Sequence, residues 1–279
     1  MTEPQQQQLK AEVATGRFKS AAQAQAFIRD TFGTTFSLSG TRKLLKRLSC
    51  SFHKASSFLF KANRDKQEEF LKDYEEDKPK VQTEGWRRYF IDGVHPLYGM
   101  EVLYYCWLVA GQRLEVGVGG GRKRLNILGA FCPDDHEYLD RRYTNKNLTA
   151  ESLIELFTLM RTRHPQTKHF RIYLDNARYQ HAKVLKAWVA EVQKTYGVVF
   201  DLKYLPPYSP NLNLIERLWK FLRKEALQTW HESFEKMQEA VAKVLDNLGN
   251  YKEQLRTLMT ERFRLAPDLS NLAVVKLSA

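Results

Sequence analysis

Two aspartates each follow directly on an apolar run that has the composition of a buried strand. Asp92 comes after Tyr89-Phe90-Ile91, and Asp175 comes after Ile172-Tyr173-Leu174. A carboxylate that leaves water at the end of such a strand is costly unless an opposite charge compensates it. Functional groups of open α/β sheets gather at the carboxyl ends of the strands. The pair therefore predicts one shared site that binds a divalent cation.

A third carboxylate, Glu216, lies early in an amphipathic helix predicted from about Asn213 to Leu227, after a proline-rich segment at 206–210. Two interpretations stay open for it. With Asn213 as the N-cap, Glu216 would be the third helical residue and would complete a capping box. Alternatively, Glu216 lies at the edge of the inward-facing stripe of the helix, from where its carboxylate can reach the site of the two aspartates.

The chemistry of the predicted site follows from its donor atoms. Oxygen ligands without a cluster of histidines or cysteines favour Mg²⁺ or Mn²⁺ over zinc. Two such ions bridged by carboxylates suit phosphodiester chemistry, in which one activates the attacking water or 3′-hydroxyl and the other stabilises the leaving oxygen. Asp92, Asp175 and Glu216 are accordingly the candidate catalytic and metal-ligating residues.

Competing motifs are weak. The glycines within 117–121 lack the GxGxxG spacing of a phosphate cradle and predict a flexible turn. His95 and His181 lie three and six residues beyond Asp92 and Asp175, and the sequence favours a surface or packing role for them over an accessory role. The cysteines are three in number, scattered, and without a CxxC pair, so neither a disulfide framework nor a zinc site is predicted.

The rest of the chain supplies elements that would position these residues. Apolar, aromatic and β-branched runs predict five strands: Arg87–Val94, Met100–Val109, Leu125–Cys132, Phe170–Leu174 and Val198–Leu205. Helical spacing predicts helices at Ala150–Arg163 and at about Ala182–Tyr196. The order of three strands, helix, strand, helix, strand, helix is that of a ribonuclease-H-like α/β fold with a five-stranded mixed sheet, although other α/β layouts share it.

The first sixty residues predict short helices. Leu9–Thr15 and Ala21–Phe32 end at glycines, and Ser37 or Ser39 can cap a third helix that reaches about Leu48. Four basic residues lie on the outward face of this third helix: Arg42, Lys43, Lys46 and Arg47. This layout is that of a helix-turn-helix whose last helix enters the major groove of DNA. A small bundle with a solvated basic face is the alternative.

Charge favours a polyanionic partner. The 279 residues contain 44 Lys and Arg against 32 Asp and Glu, a net charge of +12 with a pI near 9.5. The segment Ser37–Lys66 carries +7 of this surplus, with eight basic residues against one acid. Arg122, Lys123 and Arg124 form a second basic group that either contacts phosphates or is simply solvated. The chain has no apolar run long enough for a membrane span and no signal peptide, which predicts an intracellular, cytoplasmic protein.

A change of composition near Pro79 predicts the domain organisation. Residues 1–60 form a DNA-binding domain of the helix-turn-helix type, and 61–84 form a charged linker or exposed helix. Residues 85–230 form the α/β catalytic domain, and 231–279 a C-terminal helical segment.

Four segments resemble bacterial insertion-sequence transposases of the mariner type, the insertion sequence six-thirty group. They are YFIDGVHP at 89–96, GRKRLNILGAF at 121–131, IYLDNARYQH at 172–181 and LPPYSPNLNLIERLWKFLRK at 205–224. The segment FSLSGTRKLLKRL at 36–48 resembles the second, often winged, helix-turn-helix of the same family. The resemblance covers roughly residues 9–230, and the fourth segment is the most specific.

The resemblance implies a function. Asp92, Asp175 and Glu216 match the family's DDE triad, which binds two Mg²⁺ ions, with Mn²⁺ as a substitute, on a ribonuclease-H-like fold. Asn176, His95 and His181 are accessory candidates within the matching segments. The implied reaction is nicking of DNA at the element's terminal inverted repeats, followed by attack of the freed 3′-hydroxyl on target DNA, commonly at a TA dinucleotide. The implied assembly is a homodimer that brings two ends together.

One departure from the family leaves alternatives open. The family usually carries two tandem helix-turn-helix units, whereas the sequence before the linker has room for one, so the other is either supplied from an upstream frame or lost. A truncated or domesticated protein that binds DNA without cutting is therefore the runner-up to an active transposase. A structure-directed nuclease on the same fold is a third interpretation.

Overall fold

The computed structural model describes residues 1–53, 59, 61–100, 107–110, 112–113, 115, 123–144 and 146–268. The chain divides into two compact units, the second of which spans Leu59–Ala266. The first unit contains three helices, α1 (Glu3–Ala14), α2 (Ala21–Phe32) and α3 (Leu38–Arg47). The sequence predicted these three helices, although α1 begins six residues earlier than expected, with Pro4 in its first turn.

Local capping sets the ends of α2 and α3. The Ser20 side chain accepts a hydrogen bond from the Gln23 amide at the start of α2, which ends at Gly33 with a φ of 63°. Ser37, and not Ser39, is the N-cap of α3, since its Oγ accepts from the Gly40 amide at 3.1 Å. Leu9, Ile28 and Leu44, one from each helix, form the centre of a small core.

The charged segment before the sheet is a long helix, α4 (Arg64–Thr83), capped by Asn63. The prediction of an exposed helix or linker was right about helix formation and wrong about exposure. Phe70 and Tyr74 are 4% and 0% exposed and pack in the core of the second unit. A twenty-residue charged helix can bury one narrow stripe, and the high charge of its other faces concealed that stripe in the sequence.

The second unit is built on a five-stranded mixed sheet with the order β3-β2-β1-β4-β5. The strands are β1 (Arg87–Val94), β2 (Asn126–Phe131), β3 (Tyr138–Tyr143), β4 (His169–Leu174) and β5 (Val199–Tyr204). The pairs β1–β2 and β2–β3 are antiparallel, while β1–β4 and β4–β5 are parallel. This arrangement confirms the predicted fold class.

The third antiparallel strand differs from the prediction. It is β3, a charged and half-buried strand (YLDRRY) that was not predicted. Its pairing along the whole of β2 and the contacts of Arg142 with Asp140 and Asp246 stabilise it, and none of these is a local apolar signal. The strand predicted at Met100–Val109 falls mostly outside the described residues; Met100 and Trp107–Val109, which are described, are not in a strand.

Helices cover both faces of the sheet. On one face α5 (Ala150–Arg163) and α6 (Lys183–Tyr196) pack over an apolar cluster that includes Ile91, Ile172 and Phe200. On the other face α4 packs beside α7 (Ile215–Leu222), α8 (Phe234–Leu245) and α9 (Lys252–Leu258) over a second cluster. Both clusters continue to the carboxyl ends of β1 and β4, so the backbone that follows these strands is held between packed layers.

Within the described part of the chain, no helix has the length and apolar content needed to cross a membrane.

Candidate active site

Strand register places the two aspartates side by side. Ile91 of β1 is the register partner of Leu174 of β4 in a parallel pair, so the next residue of each strand, Asp92 and Asp175, lies at the same edge of the sheet. The residues directly before each aspartate, Arg88 to Ile91 in β1 and Ile172 to Leu174 in β4, are buried, with Ile91 and Leu174 0% exposed. The sheet thus fixes the backbones of both carboxylates at its carboxyl edge, as the sequence predicted.

Glu216 reaches the same edge from a different element. After β5 the chain crosses the sheet edge through the proline-rich segment 206–210, and a 3₁₀ turn at Pro210–Leu212 leads into α7. Glu216 lies in the first turn of α7, whose N-cap residue is Leu214 and has no capping side-chain bond. The capping-box interpretation is therefore wrong, because the Asn213 side chain bonds to β1 instead of to the helix.

The three carboxylates line one cavity of about 480 Å³. Its other walls are Asn176 and Ala177 after β4, the proline-rich segment from Leu205 to Pro210, and Asn213. Tyr208 in this segment is half exposed and has a left-handed φ of 58°, a conformation that a residue with a bulky side chain rarely adopts. Such backbone strain concentrates at functional sites.

The indole of Trp219, on α7, orients Asp92. The Nε1 of Trp219 donates a hydrogen bond of 3.0 Å to Asp92 Oδ2. Gly129, the register partner of Asp92 on β2, makes room for this indole, because a Cβ there would lie 2.5 Å from Trp219 Cη2. In the sequence, the glycine in β2 and the tryptophan in α7 were the only signs of this contact. They can be connected only once the register of β1 and β2 is known.

Gln180 plays the corresponding part for Asp175. Its Nε2 donates to Asp175 Oδ1, and its side chain is fully buried in a short 3₁₀ segment, Arg178–His181. The Oε1 atom of the same amide has no hydrogen-bond partner among the described residues. Asn176, an accessory candidate, lines the cavity and donates from Nδ2 to the Leu205 carbonyl at 2.8 Å, which ties the end of β4 to the end of β5.

The electrostatics of the cavity are those of crowded anions. Burial, followed by the charges of Glu216 and Asp175, raises the pKa of Asp92 to about 8, against which the Gly93 amide and Trp219 act only in part. Burial also raises the pKa of Glu216, while the cations Lys220 and Arg223 lower it. A buried anion cluster of this kind is stabilised either by protons or by a metal cation.

The donor set fits a hard divalent cation. Three carboxylates and Asn213 line one cavity, and Mg²⁺ and Mn²⁺ prefer oxygen ligands. In the residues that the structure describes, no three His, Cys, Asp or Glu side chains are close enough together to form a ready-made metal site. The carboxylates would have to draw together around a cation, and such a cation would offset the mutual repulsion that now raises the pKa of Asp92.

A basic surface lies beside this cavity. Arg178, Tyr179, His181, Ala182 and Lys183 line a second, open cavity that begins three residues after Asp175. The imidazole of His181 stacks on Tyr204 with ring centroids 4.4 Å apart. The other histidine candidate, His95, bonds through Nδ1 to Asn126 Oδ1 at 2.6 Å and is not among the residues that line the carboxylate cavity.

The remaining predicted DNA contacts differ in their surroundings. On α3, the side chains of Arg42, Lys43, Lys46 and Arg47 are exposed, and none has an ion-pair partner in the described part of the chain. Lys123 lies 3.7 Å from Glu235, and Arg124 donates to Asn147. Arg122 lies outside the described residues.

Two protein-family models match this chain. The chain matches the family model of the DDE superfamily endonuclease over residues 87–239, more than half of its length, and that of the winged helix-turn helix over residues 16–74. No curated protein matches it in sequence.

Its fold is similar to that of several mariner transposase complexes. One is a crystal structure of a pre-cleavage Mos1 transpososome, with 12% identity, a TM-score of 0.61, and coverage of 91% of this chain and 75% of that one. The mariner Mos1 paired end complex with Mg gives 14% identity, a TM-score of 0.61 and the same coverages. The Mos1 paired-end complex with the left transposon end gives 12% identity, a TM-score of 0.57, and coverages of 93% and 80%.

At these identities the structural likeness establishes the fold, and the family match covers all of β1–β5 and α7, the elements that carry the three carboxylates. The chain belongs to the DDE superfamily of endonucleases.

Proposed function

We propose that the protein is a DNA transposase that cuts the ends of its element and joins the freed 3′-hydroxyl to target DNA, commonly at a TA dinucleotide. The observation that carries this proposal is that Asp92, Asp175 and Glu216 line a single cavity at the carboxyl edge of the sheet. The shared fold with Mos1 complexes, in which that transposase is bound to transposon ends, supports transposition over simple DNA hydrolysis.

In this proposal the three carboxylates hold two Mg²⁺ or Mn²⁺ ions. Ions bound there would lower the pKa of an attacking water or 3′-hydroxyl and neutralise the charge on the leaving 3′-oxygen. The new phosphorus–oxygen bond forms as the bond to the leaving oxygen breaks, and the proton of the attacking group passes to solvent. Trp219 and Gln180 hold the Asp92 and Asp175 carboxylates in fixed orientations. The preorganisation of the site thus comes from neutral donors, which leave the negative charge available to cations.

The DNA substrate is supported by charge beside the cavity. Arg178 and Lys183 are exposed and have no ion-pair partner in the part of the chain that the structure describes, and they are next to the His181–Tyr204 stack. Exposed cations interleaved with aromatic rings suit a phosphate backbone with accessible bases. Lys123 and Arg124 are further candidates for phosphate contacts.

Recognition of the element's ends is assigned to α3, which would lie in the major groove and present Arg42, Lys43, Lys46 and Arg47. We assign DNA binding to residues 1–60 and catalysis to 85–230, as predicted from the sequence. A homodimer that pairs two terminal repeats is the proposed assembly, in the cytoplasm with the cell's DNA.

The alternative is a DNA-binding protein, truncated or domesticated, that does not cut. One observation favours it: the described carboxylates do not form a ready-made metal site. The two functions differ in their need for Mg²⁺. An active enzyme needs the ion in the carboxylate cavity, whereas a protein that only binds DNA does not.

The test is Mg²⁺- or Mn²⁺-dependent cleavage of the DNA that flanks the gene. Wild-type protein is compared with Asp175→Asn, which removes one candidate ligand, and with Asp246→Asn, a matched change at an exposed aspartate bonded to Arg142. We expect cleavage by the wild type and by Asp246→Asn, and a loss of at least about 100-fold in Asp175→Asn with DNA binding intact. Metal-dependent cleavage by Asp175→Asn at the wild-type rate would reject the assignment of the site. Binding without cleavage by the wild type would favour the alternative.

A further inference from the structure

Asn213 is the most deeply buried polar residue of the carboxylate cavity. It is 3% exposed, lines the cavity, and precedes Glu216 by three residues. In the sequence it was a candidate helix cap, but its side chain does not bond to the helix.

The amide of Asn213 ties two of the site's elements together. Its side-chain Nδ2 donates to the carbonyl oxygen of Ile91 at 3.2 Å, directly before Asp92, and the backbone carbonyl oxygen of Asn213 accepts from the backbone amide of Glu216 at 3.2 Å. The same residue therefore fixes the start of α7, which carries Glu216, against the end of β1, which carries Asp92.

The other half of the amide is left without a partner. Asn213 Oδ1 is buried and accepts no hydrogen bond from any described residue. The chemistry of the neighbours settles the orientation of the amide, because a reversed amide would place Oδ1 against the Ile91 carbonyl, another acceptor. An unsatisfied buried acceptor is costly and rare in a folded protein. At a site of this kind it calls for a donor or a cation that enters the cavity.

We propose that Asn213 is a positioning residue that contributes its Oδ1 as a fourth oxygen of the carboxylate site. Oδ1 either ligates the divalent cation or accepts a hydrogen bond from a water on it, while Nδ2 holds α7 against β1. This inference rests on the proposed function of the cavity as a site for divalent cations. It adds to the three carboxylates a neutral oxygen donor, which increases the number of ligands without adding negative charge.

Metal binding in the absence of DNA tests the proposal. Mn²⁺ is titrated into the full chain, and free Mn²⁺ is measured by electron paramagnetic resonance. The variants are Asn213→Ala, which removes both halves of the amide, and Asn213→Asp, which keeps an oxygen at Oδ1. Asn211→Ala and Asn211→Asp are matched controls, since Asn211 lies two residues away, bonds to Gln67 and the Arg264 carbonyl, and does not line the cavity.

We expect Asn213→Ala to bind Mn²⁺ at least about 10-fold more weakly than wild type, as is usual when a supporting ligand of a metal site is removed. Asn213→Asp should bind at least as tightly as wild type and more tightly than Asn211→Asp, which adds the same charge outside the cavity. Asn211→Ala should bind as wild type does.

Three outcomes would overturn the proposal. If Asn213→Ala binds Mn²⁺ with wild-type affinity, Asn213 does not contribute to the site. Equal weakening in Asn213→Ala and Asn213→Asp would mean that only the bond to Ile91 matters. An absence of Mn²⁺ binding by wild type, or binding unchanged by Asp175→Asn, would reject the metal site itself and so the proposed function. If Asn213→Ala does not fold, Asn213→Asp decides alone, since a 10-fold loss of affinity in that isosteric variant contradicts the proposal.

Discussion

At the scale of single residues, the site places negatively charged side chains where burial disfavours their charged form. Asp92 follows four buried residues of β1, Arg88 to Ile91, and the indole N–H of Trp219 donates a hydrogen bond to its Oδ2 atom. Its raised pKa results mainly from lost hydration and then from the charges of Glu216 and Asp175. The arrangement that suits a divalent cation therefore destabilises the protein when the cation is absent.

Asp92→Asn is expected to stabilise the metal-free protein at pH 8. The folded pKa of about 8 lies above the unfolded pKa near 3.8, so the folded state binds the proton more tightly. The stability that the protonated group contributes is complete below about pH 4 and is lost as pH rises through 8. Asparagine keeps the neutral form at every pH, for an expected gain on the order of 5 kcal/mol at pH 8 and on the order of 2 kcal/mol at pH 5.

Urea unfolding in EDTA at pH 5 and pH 8 measures this effect, with Asp65→Asn, at an exposed position of α4, as the control. Addition of Mg²⁺ should stabilise the wild type and leave Asp92→Asn nearly unchanged. A metal-free Asp92→Asn protein no more stable than wild type at pH 8 would contradict the account of crowded, dehydrated carboxylates.

At the scale of elements, the site depends on how closely α7 approaches β2. Gly129 and Trp219 pack directly against each other, and Ile215 Cδ1 would lie only 3.0 Å from a Cβ at position 129. Because Gly129 pairs with Asp92 across the strands, the packing of the helix and the orientation of the carboxylate are set at the same point.

Gly129→Ala is expected to displace α7 and to break the bond between Trp219 and Asp92. The new methyl group would overlap the indole ring, and overpacking of this kind costs about 1–3 kcal/mol. The free energy of unfolding should fall by that amount, and DNA cleavage should fall further than the loss of folded protein explains, because Asp92 loses its orienting donor.

Gly249→Ala is the matched control, since a Cβ there would have only Lys252 Cε for a neighbour, at 4.0 Å. Urea unfolding and a cleavage time course on both variants measure the two effects. Wild-type stability together with wild-type cleavage in Gly129→Ala would show that Trp219 does not orient Asp92 through this contact.

At the scale of the whole molecule, the net charge of +12 is distributed between two compact units, to which we assign different tasks. The exposed cations of α3 belong to the first unit, and those beside the carboxylate cavity belong to the second. Phosphate contacts from both would add to the salt dependence of DNA binding, whereas preference for particular ends would reside in the first unit.

Lys43→Ala combined with Lys46→Ala should weaken binding to DNA and flatten its salt dependence. Each lost phosphate contact lowers the slope of log affinity against log salt by about 1, so the double variant should lose about 2. Lys10→Ala, at an exposed position of α1, is the control and should change neither quantity. Fluorescence anisotropy between 50 and 300 mM salt, with DNA from the gene's flanking ends, measures the affinity and its salt dependence. An unchanged slope would show that α3 is not the recognition surface.

Local signals in the sequence predicted most of the helices and strands of this protein. Caps and glycines define α2 and α3, helical spacing defines α5 and α6, and apolar runs define β1, β2, β4 and β5, because these features act between near neighbours in the chain. The same signals identified Asp92 and Asp175, since each carboxylate directly follows a run that must be buried.

Tertiary structure decided what depends on residues far apart in sequence. It made β3 a strand through its pairing with β2, it buried one stripe of the charged helix α4, and it gave Asp92 its donor from Trp219. It also directed Asn213 toward β1 instead of a helix cap, which leaves Glu216 free to face the cavity. Each of these contacts joins segments that local propensity treats as independent, so only the packed sheet and its helices could select among the alternatives.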